Sequence, residues 1–196
     1  MVSSVLLTSA SEVALPAQDE PLYEIVDSHR VDLLPISAYA TWLASRLHGR
    51  LWPYAEEQAL GASVTEMLFI LDAERDLRRR PDVAFVSASR WPLDRALPNT
   101  GDWDVVPNLA VEVISPHDVF KDVLAKLREY FHYGVQLVWV IAPEEQQVYV
   151  YDSPTHVRIF EANDTLTGGE VVPGFSLPLA RLFQRSASTQ VTPASS

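Results

Sequence analysis

The chain has no cysteine. That excludes disulfides and thiolate metal sites, and it leaves oxygen or histidine as the ligands a metal would find. No apolar run approaches the roughly 20 residues that a helical membrane span needs. Met1 to Ala17 contains no Lys or Arg ahead of its short apolar stretch, so it makes a poor secretory signal. Together these absences set the expectation of a cytoplasmic protein with no membrane partner. A Gly-rich phosphate loop, a Gly-x-Ser-x-Gly elbow and a His-Glu-x-x-His pair are missing as well. P-loop nucleotide hydrolysis, serine esterase chemistry and zinc proteolysis therefore have no support. Basic residues are few: Lys+Arg 15 against Asp+Glu 26, a net charge of −11. A field of that sign repels polyanions overall, so any nucleic-acid contact must rest on local basic patches.

What is present is ordinary for a globular chain: 196 residues, 47% apolar and 21% charged. That length predicts one domain with a real core. The expected division is a flexible leader over 1–20, a folded domain over 21–185 and a Ser/Thr-rich tail over 186–196. Tyr23 to Val26 and Arg30 to Leu34 read as short strands around the turn Asp27-Ser28-His29. Ser37 is the expected N-cap of a helix whose apolar positions Ala40, Leu43, Leu47 and Leu51 share one face. Pro53 should kink or end it.

Ser63 to Leu71 reads as a strand after Gly61, Asp72 to Arg79 as a polar connection, and Ser89 to Pro107 as a long loop. A helix from about Asp118 to Tyr133 closes on Gly134. Leu137 to Ile141 is a strand buried on both faces, and it forms a hairpin with Gln147 to Tyr151. Val157 to Glu161 and Glu170 to Val172 are further short strands, and Leu179 to Phe183 is a helical turn. The expected fold class is mixed α+β, a mixed sheet flanked by helices.

Two apolar strands each carry one carboxylate where a core residue belongs. Asp82 opens Asp82-Val83-Ala84-Phe85-Val86, and Glu112 lies within Leu109-Ala110-Val111-Glu112-Val113-Ile114. An ionised carboxylate is costly to bury without a cation, proton or donor. If these strands pair, the two acids can share one ion, and oxygen ligands suit Mg²⁺ or Mn²⁺. Taken alone, Asp82 reads as well as a strand-entry cap after Pro81. Lys126 on the following helix is the third candidate, and its plain alternative is a surface lysine. Asp122 and Tyr130 share its face at four-residue spacing, either as the wall of a site or as an ion pair beside a packed tyrosine. Arg75, Arg78, Arg79 and Arg80 before Asp82, with Lys121, Lys126 and Arg128 after Glu112, make both flanks locally basic.

The segments RRPDVAFVS, PNLAVEVISP and DVLAKLREYFHYGVQLVWVIAPEEQQVYVYDSP resemble the Uma-two family of restriction-endonuclease-like proteins, within the PD-(D/E)XK nuclease superfamily. The opening YEIVD and the closing LTGGEVVPGFSLPLARLF extend the similarity from Pro21 to Phe183. The resemblance implies a restriction-endonuclease-like core. It also implies a metal-dependent phosphodiesterase acting on DNA, with Asp82 and Glu112 as ligands of Mg²⁺ or Mn²⁺ and Val113 lending its backbone carbonyl. Lys126 becomes the catalytic lysine, displaced from the usual strand position that Ile114 occupies. Paired cuts in duplex DNA would imply a homodimer.

Two positions depart from the family pattern. Ser28-His29 stands for a Gly-Glu pair, and Ser37-Ala38-Tyr39 for the acid and histidine that open the first helix. Glu66 is the substitute candidate for the missing acid, with a solvent-facing glutamate as its alternative. His29 is a weaker candidate ligand. The rival to the enzyme is a module that keeps the fold and binds nucleic acid or a protein partner without cutting.

Overall fold

A computed structural model describes residues 21–35, 37–99, 101–115 and 118–184, so the expected leader and tail lie outside the described residues. In chain order the elements are β1 (Tyr23–Val26), β2 (His29–Asp32), α1 (Ala38–Glu57), β3 (Gly61–Thr65), β4 (Leu68–Asp72), β5 (Leu77–Arg79) and β6 (Val83–Ser87). There follow β7 (Asp102–Trp103), β8 (Leu109–Val113), α2 (Phe120–His132), β9 (Leu137–Ala142), β10 (Gln147–Ser153), β11 (His156–Phe160), β12 (Thr165–Thr167), β13 (Ser176–Pro178) and α3 (Leu179–Phe183).

The centre is a six-stranded mixed sheet in the order β11-β10-β9-β8-β6-β3. Only β8 and β9 pair in parallel within it. A parallel pair needs a crossover, and α2 supplies it. Side-chain parity decides what each face meets. Val83, Phe85, Leu109, Val111, Val113, Trp139 and Ile141 pack against α1 and α3. Ala84, Val86, Ala110, Val138 and Val140 turn the other way. They meet Leu127 and Tyr130 of α2, and Phe69, Leu77 and Trp103 from a second sheet, β2-β1-β5-β4-β7.

Helix α1 starts where expected, with Ser37 Oγ accepting from Ala40 N at 3.1 Å. Pro53 does not end it; the helix runs on to Glu57. The proline deletes one backbone hydrogen bond, but Leu51 and Ala55 on either side of it are fully buried. That packing outweighs the local preference.

Three other expectations need correction. The strand foreseen over Ser63 to Leu71 is two strands belonging to different sheets, broken at Glu66, whose φ is 50°. Glu66 is therefore an exposed corner residue and not a strand residue. The polar connection before Asp82 contains β5, whose Leu77 and Arg79 are buried by pairing with β1 and β4. Glu170 to Val172 is a turn; the terminal strand pair is β12 with β13. The hairpin of β9 with β10 forms as read. At Gly61 the backbone has φ 151°, and an added Cβ would lie 2.1 Å from the carbonyl oxygen of Val86. Only glycine lets β3 close on β6 there.

Candidate active site

β6 and β8 pair antiparallel with Val83 opposite Val111. One step outward, Asp82 stands opposite Glu112, and both even-numbered positions point to the α2 face. The order of the chain brings them there: Pro81 leads into the strand, and Asp82 is the first residue beyond the ladder. Its Oδ2 accepts from Val113 N at 2.6 Å. The N–H and C=O of a strand residue face the same edge, so the Val113 carbonyl faces this gap too. Burial raises the Asp82 carboxyl to about 7, with the Glu112 charge as the next contribution; the Val113 N–H and Lys126 oppose them. Among the described residues no cation forms an ion pair with Asp82.

Glu112 is held differently. Lys126 Nζ lies 3.0 Å from its Oε2, and Tyr130 donates its hydroxyl to Oε1 at 2.6 Å. Lys126 and Tyr130 are one helical turn apart on α2, so a single face delivers both. Burial raises the Glu112 carboxyl despite Lys126. Burial also raises the fully buried Tyr130 phenol, and the carboxylate it serves adds to that rise. Lys126 touches a second acid: its Nζ is 3.1 Å from Glu24 Oε1. Desolvation would lower the Lys126 ammonium, but Glu112 and Glu24 together hold it above the ordinary lysine range.

Glu24 is the residue that sequence reasoning missed. It sits on β1 at 1% exposure. Its Oε2 accepts from Arg79 Nη1 at 2.7 Å, and its Oε1 accepts from the Arg80 backbone N–H at 3.0 Å. Burial pushes this carboxyl up, but Lys126, Arg79 and the Arg80 N–H outweigh it and leave it below the usual carboxylate range. Arg79 is also tied to Glu129 of α2 at 2.6 Å. The signal was available, since Glu24 interrupts an apolar strand just as Glu112 does. Arg79 was counted only as one charge of a basic flank.

That flank is not free. Arg78 pairs with Asp76 at 2.8 Å and also with Asp102. Arg79 is enclosed by Glu24 and Glu129, and Arg80 donates to the carbonyls of Tyr23 and Glu66. Even Arg75, largely exposed, sits 3.9 Å from Asp27. The upstream arginines fasten β1 and β5 rather than offering a surface to phosphate. Of the accessory candidates, Asp122 is exposed and borders the hollow that Glu112 and Lys126 line, without pairing to Lys126. Glu66 borders a hollow of about 150 Å³ with Asp82 and Arg80. His29 is exposed, its Nδ1 2.7 Å from the Asp27 carbonyl oxygen.

The donor set fits one small divalent ion. Asp82 and Glu112 face each other with raised proton affinity, which an added cation would relieve. Glu112 keeps 13% of its side-chain surface open towards the hollow. Among the described residues no three or more His, Asp or Glu side chains gather as a metal-binding group. Two carboxylates are enough for Mg²⁺, which keeps most of its waters. Among the described residues, Glu24, Glu112 and Glu129 share the two cations Arg79 and Lys126 in ion pairs, and Asp82 pairs with neither.

A solved structure from Anabaena variabilis, described as "a putative nuclease belonging to DUF820", superposes with a TM-score of 0.73 at 19% identity. The match covers 86% of this chain and 93% of that one, and it establishes the fold. Among curated proteins none matches the sequence. No helix among the described residues is long and apolar enough to cross a membrane. The family described as "Uma2: Putative restriction endonuclease" matches residues 12–180; the chain belongs to that family.

Proposed function

We propose that the chain is a divalent-metal-dependent nuclease that hydrolyses phosphodiester bonds in DNA. The observation that carries this reading is a half-buried Asp82, without an ion pair among the described residues, opposite Glu112 at the end of the β6–β8 ladder and beside a lysine held as a cation. Asp82, Glu112 and the Val113 carbonyl would hold Mg²⁺ or Mn²⁺. The ion would supply Lewis-acid polarisation of the phosphate and a more acidic water.

The protein's own groups divide the remaining work. Lys126 stays protonated between Glu24 and Glu112, so it acts by charge and hydrogen bonding. It orients water and meets the negative charge that grows on phosphorus oxygens; it is not the base. Asp82, whose carboxyl burial and Glu112 push up to about 7, would give up its proton to hold the ion. Glu24 and Arg79 are positioning residues that fix the lysine.

One observation favours a second reading, a nuclease-fold module that binds without cutting: both Glu112 oxygens are already hydrogen-bonded, to Lys126 and Tyr130. The test is cleavage of plasmid and oligonucleotide DNA with Mg²⁺ or Mn²⁺, against EDTA and against Asp82→Asn. Metal-dependent cleavage that Asp82→Asn abolishes is the expected result. No cleavage of DNA or RNA with either metal would leave the binding module.

A further inference from the structure

With the arginines before Asp82 committed to carboxylates and carbonyls, another group of arginines stands without a carboxylate partner among the described residues. Arg46, Arg50 and Arg181 lie together on α1 and α3. Arg46 stacks its guanidinium on Trp42, 4.6 Å from the ring centre, and donates to the Arg181 backbone carbonyl. Arg50 and Arg181, both exposed, flank a hollow of about 140 Å³ also lined by Tyr54 and Ser176. Among the described residues no carboxylate forms an ion pair with any of the three. In a chain of net charge −11, three such arginines on one face are a local reversal of sign.

The face leads away from the candidate active site. Tyr39, Trp42, Arg46 and Arg50 follow one another at spacings of three, four and four along α1, which aligns them on one side of the helix. Tyr39 shares a hollow with Ile114 and Ser115 at the end of β8, and Ile114 also borders the hollow of Glu112 and Lys126. From Tyr39 to Arg50 the helix rises about 16 Å at 1.5 Å per residue. That is roughly five base pairs at 3.4 Å each. Glu144 and Glu145 also line the Tyr39 hollow, and they would repel a phosphate chain from it. Arginine forks pre-held by stacking and a backbone bond suit phosphate oxygens.

We propose that this stripe is a docking face for duplex DNA, on which Arg46, Arg50 and Arg181 hold backbone phosphates roughly five base pairs along the duplex from the Tyr39 hollow. The inference rests on the nuclease reading and adds the path of the substrate. Contacts of this kind position the duplex without reading its sequence.

The test is anisotropy of a labelled 30-base-pair duplex with the full chain in EDTA, over a range of salt, followed by cleavage with Mn²⁺. The Arg50→Glu/Arg181→Glu double variant should bind at least tenfold more weakly. Its log–log salt slope should be shallower by about 2, at ~0.9 per lost phosphate contact, and cleavage should lose KM rather than kcat. Arg95→Glu/Arg158→Glu changes net charge equally, in the loop after β6 and on β11, outside the stripe, and should shift binding less than threefold. Unchanged circular dichroism melts establish that both variants fold. If the wild type cuts DNA and the two double variants bind alike, the docking face is wrong and the nuclease reading stands. If the wild type neither binds nor cuts DNA, both fall. Loss of RNA binding alone, or of a protein partner alone, would overturn DNA as the occupant.

Discussion

Glu24 is a buried and Asp82 a half-buried carboxylate on the α2 side of the molecule, and their environments are opposite. Glu24 has Arg79, Lys126 and a backbone N–H around it and is held below the ordinary carboxylate range. Asp82 has one backbone N–H and a neighbouring carboxylate and is raised to about 7. Burial alone therefore says little about a charge; the partners decide whether it is a fastening or a vacancy for a cation. The same contrast separates a structural half of the site from a reactive half, with Lys126 touching both.

The sharpest way to break that contrast is Glu24→Gln. It leaves Arg79 and Lys126 without their shared anion, and removing one member of a buried pair costs about 3–5 kcal/mol. In a chain of this size the melting temperature should fall by roughly 6–20 °C, read by calorimetry. A change of less than about 2 °C would mean that the pairing at Glu24 contributes nothing net.

Lys126→Met should come next in size. Cleavage should drop by about 10²–10³-fold, the usual loss of one charge-stabilising donor, while Mn²⁺ still raises the melting temperature. Activity that survives would place the water-orienting role elsewhere.

Asp82→Asn should act in the opposite direction to Glu24→Gln. Asparagine keeps an acceptor for Val113 N and removes the charge that burial disfavours, so the metal-free protein should gain stability, by about 1–2 kcal/mol. It should also lose any metal-induced stabilisation, which mass action grants only to a state that binds metal.

The sign of the pH dependence follows from a raised acid. Between pH 4 and about 7 the unfolded chain has released the Asp82 proton and the folded chain has not. This group therefore costs the wild type stability as pH rises through that window, a contribution that Asp82→Asn lacks. Metal affinity should rise over the upper part of the same window, because the ligand must be deprotonated. Parallel melting curves for the two proteins at pH 5 and pH 8 would show that Asp82 titrates normally. The smallest effect is Tyr130→Phe, about 1 kcal/mol for one hydrogen bond to Glu112, seen in the denaturation midpoint.

Much of the site was legible because a lone acid in an apolar strand has few explanations. Glu112 touches Lys126 and Tyr130 and stands opposite Asp82, an arrangement set by strand parity and helix spacing, both local rules. Glu24 and Arg79 were not legible in the same way, since their meaning depends on β1 pairing with β5, a contact across some fifty residues that no local pattern specifies. The break at Glu66 was hidden for a related reason. A left-handed corner at a non-glycine residue leaves no compositional mark, so two strands of different sheets read as one. Ser37 and the apolar face of α1 were plain from sequence, as was the β9–β10 hairpin. That α1 runs on past Pro53 was not legible, because propensity leaves out the core that Leu51 and Ala55 join.

The clasp of Glu24 on Arg79 and Lys126 also has a kinetic side. It joins the first described strand to a helix about a hundred residues later, so it closes one of the longest loops in the molecule. Contacts of that kind tend to form after the barrier to folding has been crossed. Glu24→Gln should then leave the refolding rate nearly unchanged and speed unfolding. The N-terminal hairpin would be the part that lets go first, opening the lysine to water while the central sheet is still intact. A chevron plot in which the refolding arm shifts instead would put that clasp among the earliest contacts to form.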